Sequence, residues 1–174
     1  MQVSARCRNS WSRSGRVGST GSRRSPRRPS GLGDVVVTRL IAASPATVFS
    51  FFTDVGRWTA WQGVGGELDA QPGGALRIHM PGGQIASGEL VELVPHSRIV
   101  FTWGWEGDVP PVSPGSTTVE IELEPVETGT LLRLTHRGLA PPPVAEHHRQ
   151  GWERYLERLR VRAEGGDPGP DTMA

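Results

Sequence analysis

Two adjacent histidines in the stretch HHRQGWERYLERL, residues 147–159, carry the side chains best suited to proton transfer or metal binding. Neighbouring residues on a helix point about 100° apart, so the two rings cannot both bind one ion. A helical metal pair has an i, i+4 spacing, but Gly151 and Trp152 stand four residues after the histidines. We therefore expect no metal and no cofactor. The other histidines lie on separate segments and are His79, His96 and His136.

Two of these histidines are expected to face the interior. His148 shares a helical stripe with Trp152, and His136 lies on the apolar side of a strand-like segment. Under one interpretation, they hydrogen-bond the polar end of a ligand or exchange a proton with it. Under the other, which we favour, they are half-buried and paired with backbone or water.

The tryptophans are the second group with chemical interest. An indole offers a flat apolar wall and a single hydrogen-bond donor, which suits an aromatic or amphipathic ligand. Core packing is an equally good interpretation for most of them, and the better one for Trp152. The candidate ligand-binding residues are Trp58, Trp61, Phe101, Trp103, Trp105, His136, His148 and Trp152.

Nucleophilic and phosphate-binding chemistry has no support in the sequence. The only cysteine, Cys7, lies in the N-terminal region, and no Ser-His-Asp arrangement can be inferred. The glycine-rich segment GVGGELDAQPGG has neither GxGxxG spacing nor a Lys-Ser/Thr pair. No catalytic residue is assigned, so whether the protein is an enzyme stays open and a non-enzymatic protein is favoured.

Hydrophobic periodicity divides the chain after residue 33 into one strand, a short helical region, six strands and a long helix. VVVTRLI, residues 35–41, is β-branched and predicts a strand. Ser44 and Pro45 favour a helix start, giving a helix over about 45–54 and another turn over 56–62. The strand-like segments that follow are ELDA, ALRIHM, IASGELVELV, RIVFTWGW, TTVEIELE and TLLRLTHR.

Three of the later strands, over 99–105, 118–124 and 131–136, each have one apolar face, and Glu120, Glu122 and Glu124 are predicted to form part of a solvated opposite face. Short turns imply antiparallel pairing, and such a sheet is covered on one side only. The covering element is a helix over about 144–164, with a stripe formed by His148, Trp152, Leu156 and Leu159. We predict an α+β helix-grip: a curved antiparallel sheet of about six to seven strands around this helix, with two short helices after the first strand.

Charge separates an arginine-rich tail from an acidic domain. Residues 1–30 hold eight arginines and no acid, whereas residues 31–174 hold 11 arginines and 18 acids. We predict disordered tails over 1–33 and 166–174, and one domain over 34–165. A transit peptide or a nucleic-acid arm is an alternative for the first tail, and nucleic acid is not the expected partner. No apolar run is long enough to span a membrane, and a single cysteine fits a cytoplasmic setting.

Short motifs over about 35–164 occur in an order that resembles a known family. They are Ala43-Ser44-Pro45 with Val48-Phe49 and Thr53-Asp54, Trp58 and Trp61, Gln71 to Gly74, Gly88 to Pro95, Arg98 to Trp103, Thr118 to Pro125, Thr130 to Leu139, and His148, Gly151, Trp152, Leu156 and Leu159. Together they resemble the SRPBCC, or START-like, superfamily, and within it the homologues of the activator of heat-shock protein 90 ATPase.

The resemblance implies a helix-grip with a cavity between the sheet and the long helix. Members of the superfamily bind lipids, polyketides or hormones, and some catalyse cyclisation. The leading expectation is a protein that binds a small hydrophobic or aromatic molecule. The alternatives are a polyketide cyclase- or dehydratase-like enzyme that uses a pocket histidine, and an interaction module that acts on a chaperone. A homodimer is also left open.

Overall fold

The computed structural model describes residues 33–107 and 112–172. The arginine-rich segment before Gly33, with Cys7, lies outside them. The elements are β1 (Val35–Ile41), α1 (Pro45–Ser50), α2 (Val55–Trp58), β2 (Gly65–Leu68), β3 (Ala75–His79), β4 (Ile85–Val94), β5 (Arg98–Trp105), β6 (Thr117–Val126), β7 (Gly129–Arg137) and α3 (Pro142–Ala163).

The seven strands form one antiparallel sheet in the order β1-β7-β6-β5-β4-β3-β2. Consecutive strands from β2 to β7 pair with each other, and the first strand closes onto the last, with Val35 opposite His136. The register shifts between Leu90 and Glu92 in β4, which is a β-bulge. Such a bulge increases local bending, so it contributes to the curvature of the sheet.

The long helix α3 packs against the apolar face of the sheet. The stripe predicted for it is confirmed, since the buried residues of α3 are His148, Trp152, Tyr155, Leu156 and Leu159. Its polar side also holds β1, because the Arg39 guanidinium donates to the carbonyl of Glu153 over 3.0 Å. The helix-grip expected from the sequence is therefore the observed fold. Among the described residues, no helix combines the length and apolar character needed to cross a membrane.

The two short helices predicted after β1 are confirmed, but α1 ends at Ser50 rather than near residue 54. Ser44 caps α1 by accepting from the amide of Thr47, and Pro45 occupies the first turn, as predicted. The chain then leaves the helical conformation at Asp54, whose φ is −132° and ψ is 123°. The Asp54 carboxylate accepts from the amide of Arg57 and so starts α2. A second cap within the first predicted helix explains the break.

The outer face of the sheet carries ion pairs where free, solvated glutamates were expected. The Glu120 carboxylate contacts the guanidinium groups of Arg98 and Arg137, and its side chain is only 17% exposed. Glu122 lies 3.8 Å from Arg133 on the neighbouring strand. The prediction missed these pairs because the sequence does not show which arginines lie opposite the glutamates. Cross-strand register decides that.

The residues after α3 return along the helix, although they form no further helix or strand. The Arg158 guanidinium donates to the carbonyls of Pro168, Gly169 and Pro170. Asp171 accepts from the amide of Gly63 over 2.9 Å. Residues 166–172 thus have defined contacts, while the disorder predicted for this tail in solution stays a prediction.

Candidate functional site

A pocket of about 290 Å³ lies between β5, the N-terminal half of α3 and the turn that joins β3 to β4. Its volume is close to the lower end of the range for small-molecule sites. The residues that line it are Gln62, Met80, Gln84, Trp103, Trp105, His147, His148, Gln150, Gly151, Trp152, Arg154 and Tyr155. Its lining residues come from β5, α3, the β3–β4 turn and the segment after α2.

Three indoles form the aromatic wall of the pocket. Trp103 and Trp105 alternate on β5 and their ring centroids are 5.8 Å apart, edge to face. The ring of Trp152, from α3, lies 5.4 Å from that of Trp103. Trp103 and Trp152 are buried, whereas Trp105 is half-buried. Aromatic faces of this kind suit a flat apolar ligand.

His136 does not line the pocket but supports its wall. Its Nδ1 accepts from the indole Nε1–H of Trp152 over 2.9 Å. Its Nε2 lies 2.7 Å from the hydroxyl of Thr117, and that hydroxyl donates to the carbonyl of Trp103 over 2.8 Å. Since an indole nitrogen only donates, Nδ1 of His136 carries no proton and Nε2–H donates to Thr117. The chain of hydrogen bonds links α3 to three strands.

Burial determines the charge of His136. Desolvation, and secondarily the nearby His148, lowers the pKa of His136 from 6.5 to about 3. The ring is therefore neutral at neutral pH, and both nitrogens already have partners. A group with these properties is poorly suited to exchange a proton with a ligand.

His148 is the histidine that reaches the pocket. Its Nδ1–H donates to the carbonyl of Val144 over 2.8 Å, one helical turn earlier. Its Nε2 accepts from the indole nitrogen of Trp105 over a long 3.3 Å. Burial lowers the pKa of His148, although the hydrogen bond to Val144 opposes the shift. Both ring nitrogens of His148 therefore have partners, and the single lone pair of Nε2 is directed at Trp105 at the edge of the pocket.

Two polar atoms of the pocket lining have no hydrogen-bond partner in the described part of the chain. They are the indole nitrogen of Trp103 and the hydroxyl of Tyr155, and each side chain is 2% exposed. Burial raises the pKa of Tyr155, and the carboxylate of Asp171 adds to this shift. An unpaired buried polar group is unfavourable, and the carboxylate of Asp171 offsets this for Tyr155 but not for Trp103.

The remaining aromatic candidates lie in a neighbouring cluster rather than in the pocket lining. Trp58 and Trp61 stack with centroids 5.8 Å apart, and Phe101 meets Trp58 edge to face at 5.5 Å. Both indole nitrogens have acceptors, Gln62 Oε1 for Trp58 and the carbonyl of Phe51 for Trp61. Of the eight candidates, the structure brings Trp103, Trp105, His148 and Trp152 together at the pocket. Their contact with a ligand stays a prediction.

Several lining residues were missed by sequence reasoning. Tyr155 follows Trp152 by three residues, so helical spacing could have identified it. Gln62 follows Trp58 by four residues, so helical spacing could have identified it as well. Its side chain is the buried acceptor for that indole. Met80 and Gln84 flank the turn Pro81–Gly83 and reach the pocket only through the curvature of the sheet. That curvature cannot be read from the sequence of the turn.

Among residues 33–107 and 112–172, no three or more His, Cys, Asp or Glu side chains lie close enough together to hold a metal ion. The five histidines of the sequence are spread over β3, the β4–β5 turn, β7 and α3.

Comparison with known proteins agrees with the fold. A family model described as "Activator of Hsp90 ATPase homolog 1-like protein" matches residues 42–164. The chain belongs to this family. The human "Activator of 90 kDa heat shock protein ATPase homolog 1" is 30% identical over 125 residues, which are 70% of this chain and 34% of that protein. The chain thus spans about a third of the length of this curated relative.

Solved structures of AHSA1-like and related proteins share the architecture. The AHSA1-like protein from Rhizobium etli is 41% identical, with a TM-score of 0.62, covering 81% of this chain and 89% of its own. DynU16, a protein in the dynemicin biosynthetic locus, is 25% identical, with a TM-score of 0.66, covering 78% of this chain and 49% of its own. Membership of the SRPBCC superfamily, expected from the motifs, is confirmed.

Proposed function

We propose that this AHSA1-like protein binds a small hydrophobic or aromatic molecule in the pocket between β5 and α3. The observation that carries the proposal is an indole-lined pocket of about 290 Å³ between β5 and α3. Among the described residues that line it, none is acidic. Such a site selects by shape and by a few polar contacts. We place the protein in the cytoplasm.

The ligand contacts in this proposal come from half of the candidates. Trp103, Trp105 and Trp152 supply the walls, and His148 supplies a polar edge. The other four, Trp58, Trp61, Phe101 and His136, act through packing and hydrogen bonds behind the pocket.

Native mass spectrometry of the full chain, with a thermal-shift screen of hydrophobic metabolites, tests the proposal. We expect a co-purifying small molecule, or compounds that raise Tm with increasing concentration. Trp105→Ala should abolish this effect because it removes the half-buried wall of the pocket. Leu40→Ala, which changes an exposed residue of β1, is the control. Binding that is absent from the wild type, or unaffected by Trp105→Ala, would contradict the proposal.

A second candidate is a cyclase- or dehydratase-like enzyme with His148 as the base. The Nε2 of His148 lies at the pocket edge and accepts only a long hydrogen bond of 3.3 Å from Trp105, so a substrate that displaces this bond would reach a general base. The locus named for DynU16 gives further support. Turnover of a bound compound that His148→Gln abolishes, with binding retained, would favour this candidate.

A third candidate is an interaction module acting on a chaperone, as the name of the human relative suggests. Leu40 and Leu131 are cross-strand neighbours that are 53% and 37% exposed, so they offer an apolar contact away from the pocket. Stimulation of a heat-shock protein 90 ATPase that Leu40→Glu removes, but Trp105→Ala does not, would support it. A homodimer, the other protein partner proposed, is tested by the mass of the chain in solution.

A further inference from the structure

The segment after α3 crosses the helix at one end of the pocket. On α3 the lining extends from His147 to Tyr155, and the next turn of the helix carries Arg158. The Arg158 guanidinium donates to the carbonyls of residues 168–170 over 2.9–3.2 Å and to the carbonyl of Trp61 over 2.9 Å. The returning segment therefore lies directly beyond the lining, beside the helix and the loop after α2.

The same segment is tied to both sides of the pocket. Asp171 accepts from the amide of Gly63 over 2.9 Å, next to the lining residue Gln62. On the other side, the guanidinium of Arg154, which also lines the pocket, lies 3.4 Å from the hydroxyl of Thr172. The segment thus bridges α3 and the loop after α2, while its own residues, 168–172, stand outside the lining.

We infer that residues 168–172 form a removable end wall of the pocket, which limits the length of the molecule that the pocket holds. This inference rests on the proposed function and concerns the specificity of the same site. The opposite end of the pocket is open to solvent, since the lining residues Gln84, His147 and Gln150 are exposed. A bound molecule can extend into water at that end, but at the other end it must displace the end wall.

The contacts of the end wall are of a kind that breaks easily. Its sequence is PGPDT, so it contributes no large apolar side chain to the core. Its hydrogen bonds to Arg158 and Arg154 include several between exposed groups. Segments with exposed hydrogen bonds and few buried apolar contacts open at low free energy. The indoles of the side walls are packed in the core, so the end wall should yield before they do.

The length of the lining predicts which molecules reach the end wall. A helix rises about 1.5 Å per residue, so the lining from His148 to Tyr155 is about 10 Å long. Burial of one further methylene normally raises affinity about 4-fold. This gain should stop once a ligand fills the length of the pocket, because a longer ligand must also break the hydrogen bonds of the end wall.

The test uses calorimetry of the full chain with 4-butylphenol, which is about as long as the lining, and 4-octylphenol, which adds four methylenes. In the wild type we expect the longer phenol to bind less than about 4-fold more tightly. In Arg158→Gln and Asp171→Ala, which remove ties of the end wall, the gain should be at least about 10-fold. Arg160→Gln and Glu153→Ala, on the flank of α3 that faces β1, should behave as the wild type.

Hydrogen exchange gives a second measurement that needs no variant. Saturation of the wild type with 4-octylphenol should make exchange at the Gly63 amide at least about 5-fold faster, because the end wall carries the acceptor of this amide. Saturation with 4-butylphenol should leave this exchange unchanged. If Arg158→Gln or Asp171→Ala does not fold, this comparison decides.

The outcomes separate this inference from the proposed function. Equal gains from the longer phenol in the wild type and in both released variants would overturn the end wall but leave a hydrophobic site. Exchange at Gly63 that responds alike to the two phenols would do the same. Failure of both phenols to bind any variant, in a protein that also holds no co-purifying molecule, would overturn the proposed function together with the end wall.

Discussion

His136 shows how one side chain can support a site without entering it. Its Nδ1 accepts from Trp152 and its Nε2–H donates to Thr117, so the ring joins the helix to the sheet. The residues it connects, Trp152 and Trp103, are the ones that line the pocket. A buried and fully paired group of this kind contributes mainly to a unique geometry of the wall.

Removal of the Thr117 hydroxyl tests this network. Thr117→Val keeps the shape but leaves the Nε2–H of His136 and the carbonyl of Trp103 without their partner. We expect the free energy of unfolding to fall by about 1–3 kcal/mol, measured by urea denaturation. Thr118→Val, the neighbouring position, should change it by less than about 0.5 kcal/mol. Equal effects of the two variants would argue that the network is energetically unimportant.

The pH dependence of stability provides a second test at His136. Its pKa is about 3 in the folded protein and 6.5 when unfolded, so the unfolded chain binds the proton more readily between these values. The stabilisation is complete above pH 6.5 and is lost as the pH falls towards 3. The free energy of unfolding should drop by about 1.4 kcal/mol per pH unit in this window. The lowered pKa of His148 acts in the same direction.

The control for this titration is a histidine outside the network. His136→Gln should flatten the decline between pH 6.5 and 4, whereas His96→Asn, in the exposed β4–β5 turn, should leave it unchanged. A wild-type profile that stays flat over this range would contradict the assignment of a neutral, buried His136.

At the scale of elements, Arg158 makes several of the hydrogen bonds that hold the segment after α3. Arg158 donates to three carbonyls of residues 168–170 and also to the carbonyl of Trp61. The segment ends near the pocket, because Asp171 binds the amide of Gly63, which follows the lining residue Gln62. Arg158 thereby connects the chain end, the helix and the loop after α2.

Loss of Arg158 should release this segment. Arg158→Gln removes the guanidinium fork, so we expect amide exchange at Gly63 to become at least about 10-fold faster, since exchange reports local opening. Arg160→Gln, whose wild-type side chain pairs with Glu157 and Glu164 instead, is the matched control. Unchanged protection at Gly63 in Arg158→Gln would show that Asp171 holds the segment without help.

At the scale of the whole molecule, alternation and turn residues were sufficient to predict the fold. The bounds of β1, β4 and β5 match the predicted strands, because each is a period-2 or β-branched run between turn signals. The first of the two short helices ends at Ser50, earlier than the predicted end near residue 54, and the side chain of Asp54 starts the second helix. A capping residue inside an apolar stripe is ambiguous until its φ and ψ are known.

The residues of the site were harder to predict from the sequence than the fold was. Residues on β5 and α3 could be placed at the pocket because their periods are regular. Those behind it, such as His136, share the same apolar face, and only depth separates a lining residue from a supporting one. Met80 and Gln84 approach from another part of the sheet, through its curvature. Alternation assigns a face to each residue but assigns neither depth nor long-range proximity.

The indoles form two groups joined by the ring of Phe101, and this arrangement has an optical consequence. The centroid separations along the series Trp58, Phe101, Trp103 and Trp152 are 5.4–6.1 Å. Trp61 lies 5.8 Å from Trp58, and Trp105 lies 5.8 Å from Trp103. At such separations, excitation energy passes between indoles faster than it is emitted. Light absorbed at the far end of the chain of rings is therefore emitted by whichever member lies lowest in energy. A quencher bound beside Trp105 would therefore lower the emission of the other indoles as well. We expect tryptophan fluorescence to report occupancy of the pocket with high sensitivity.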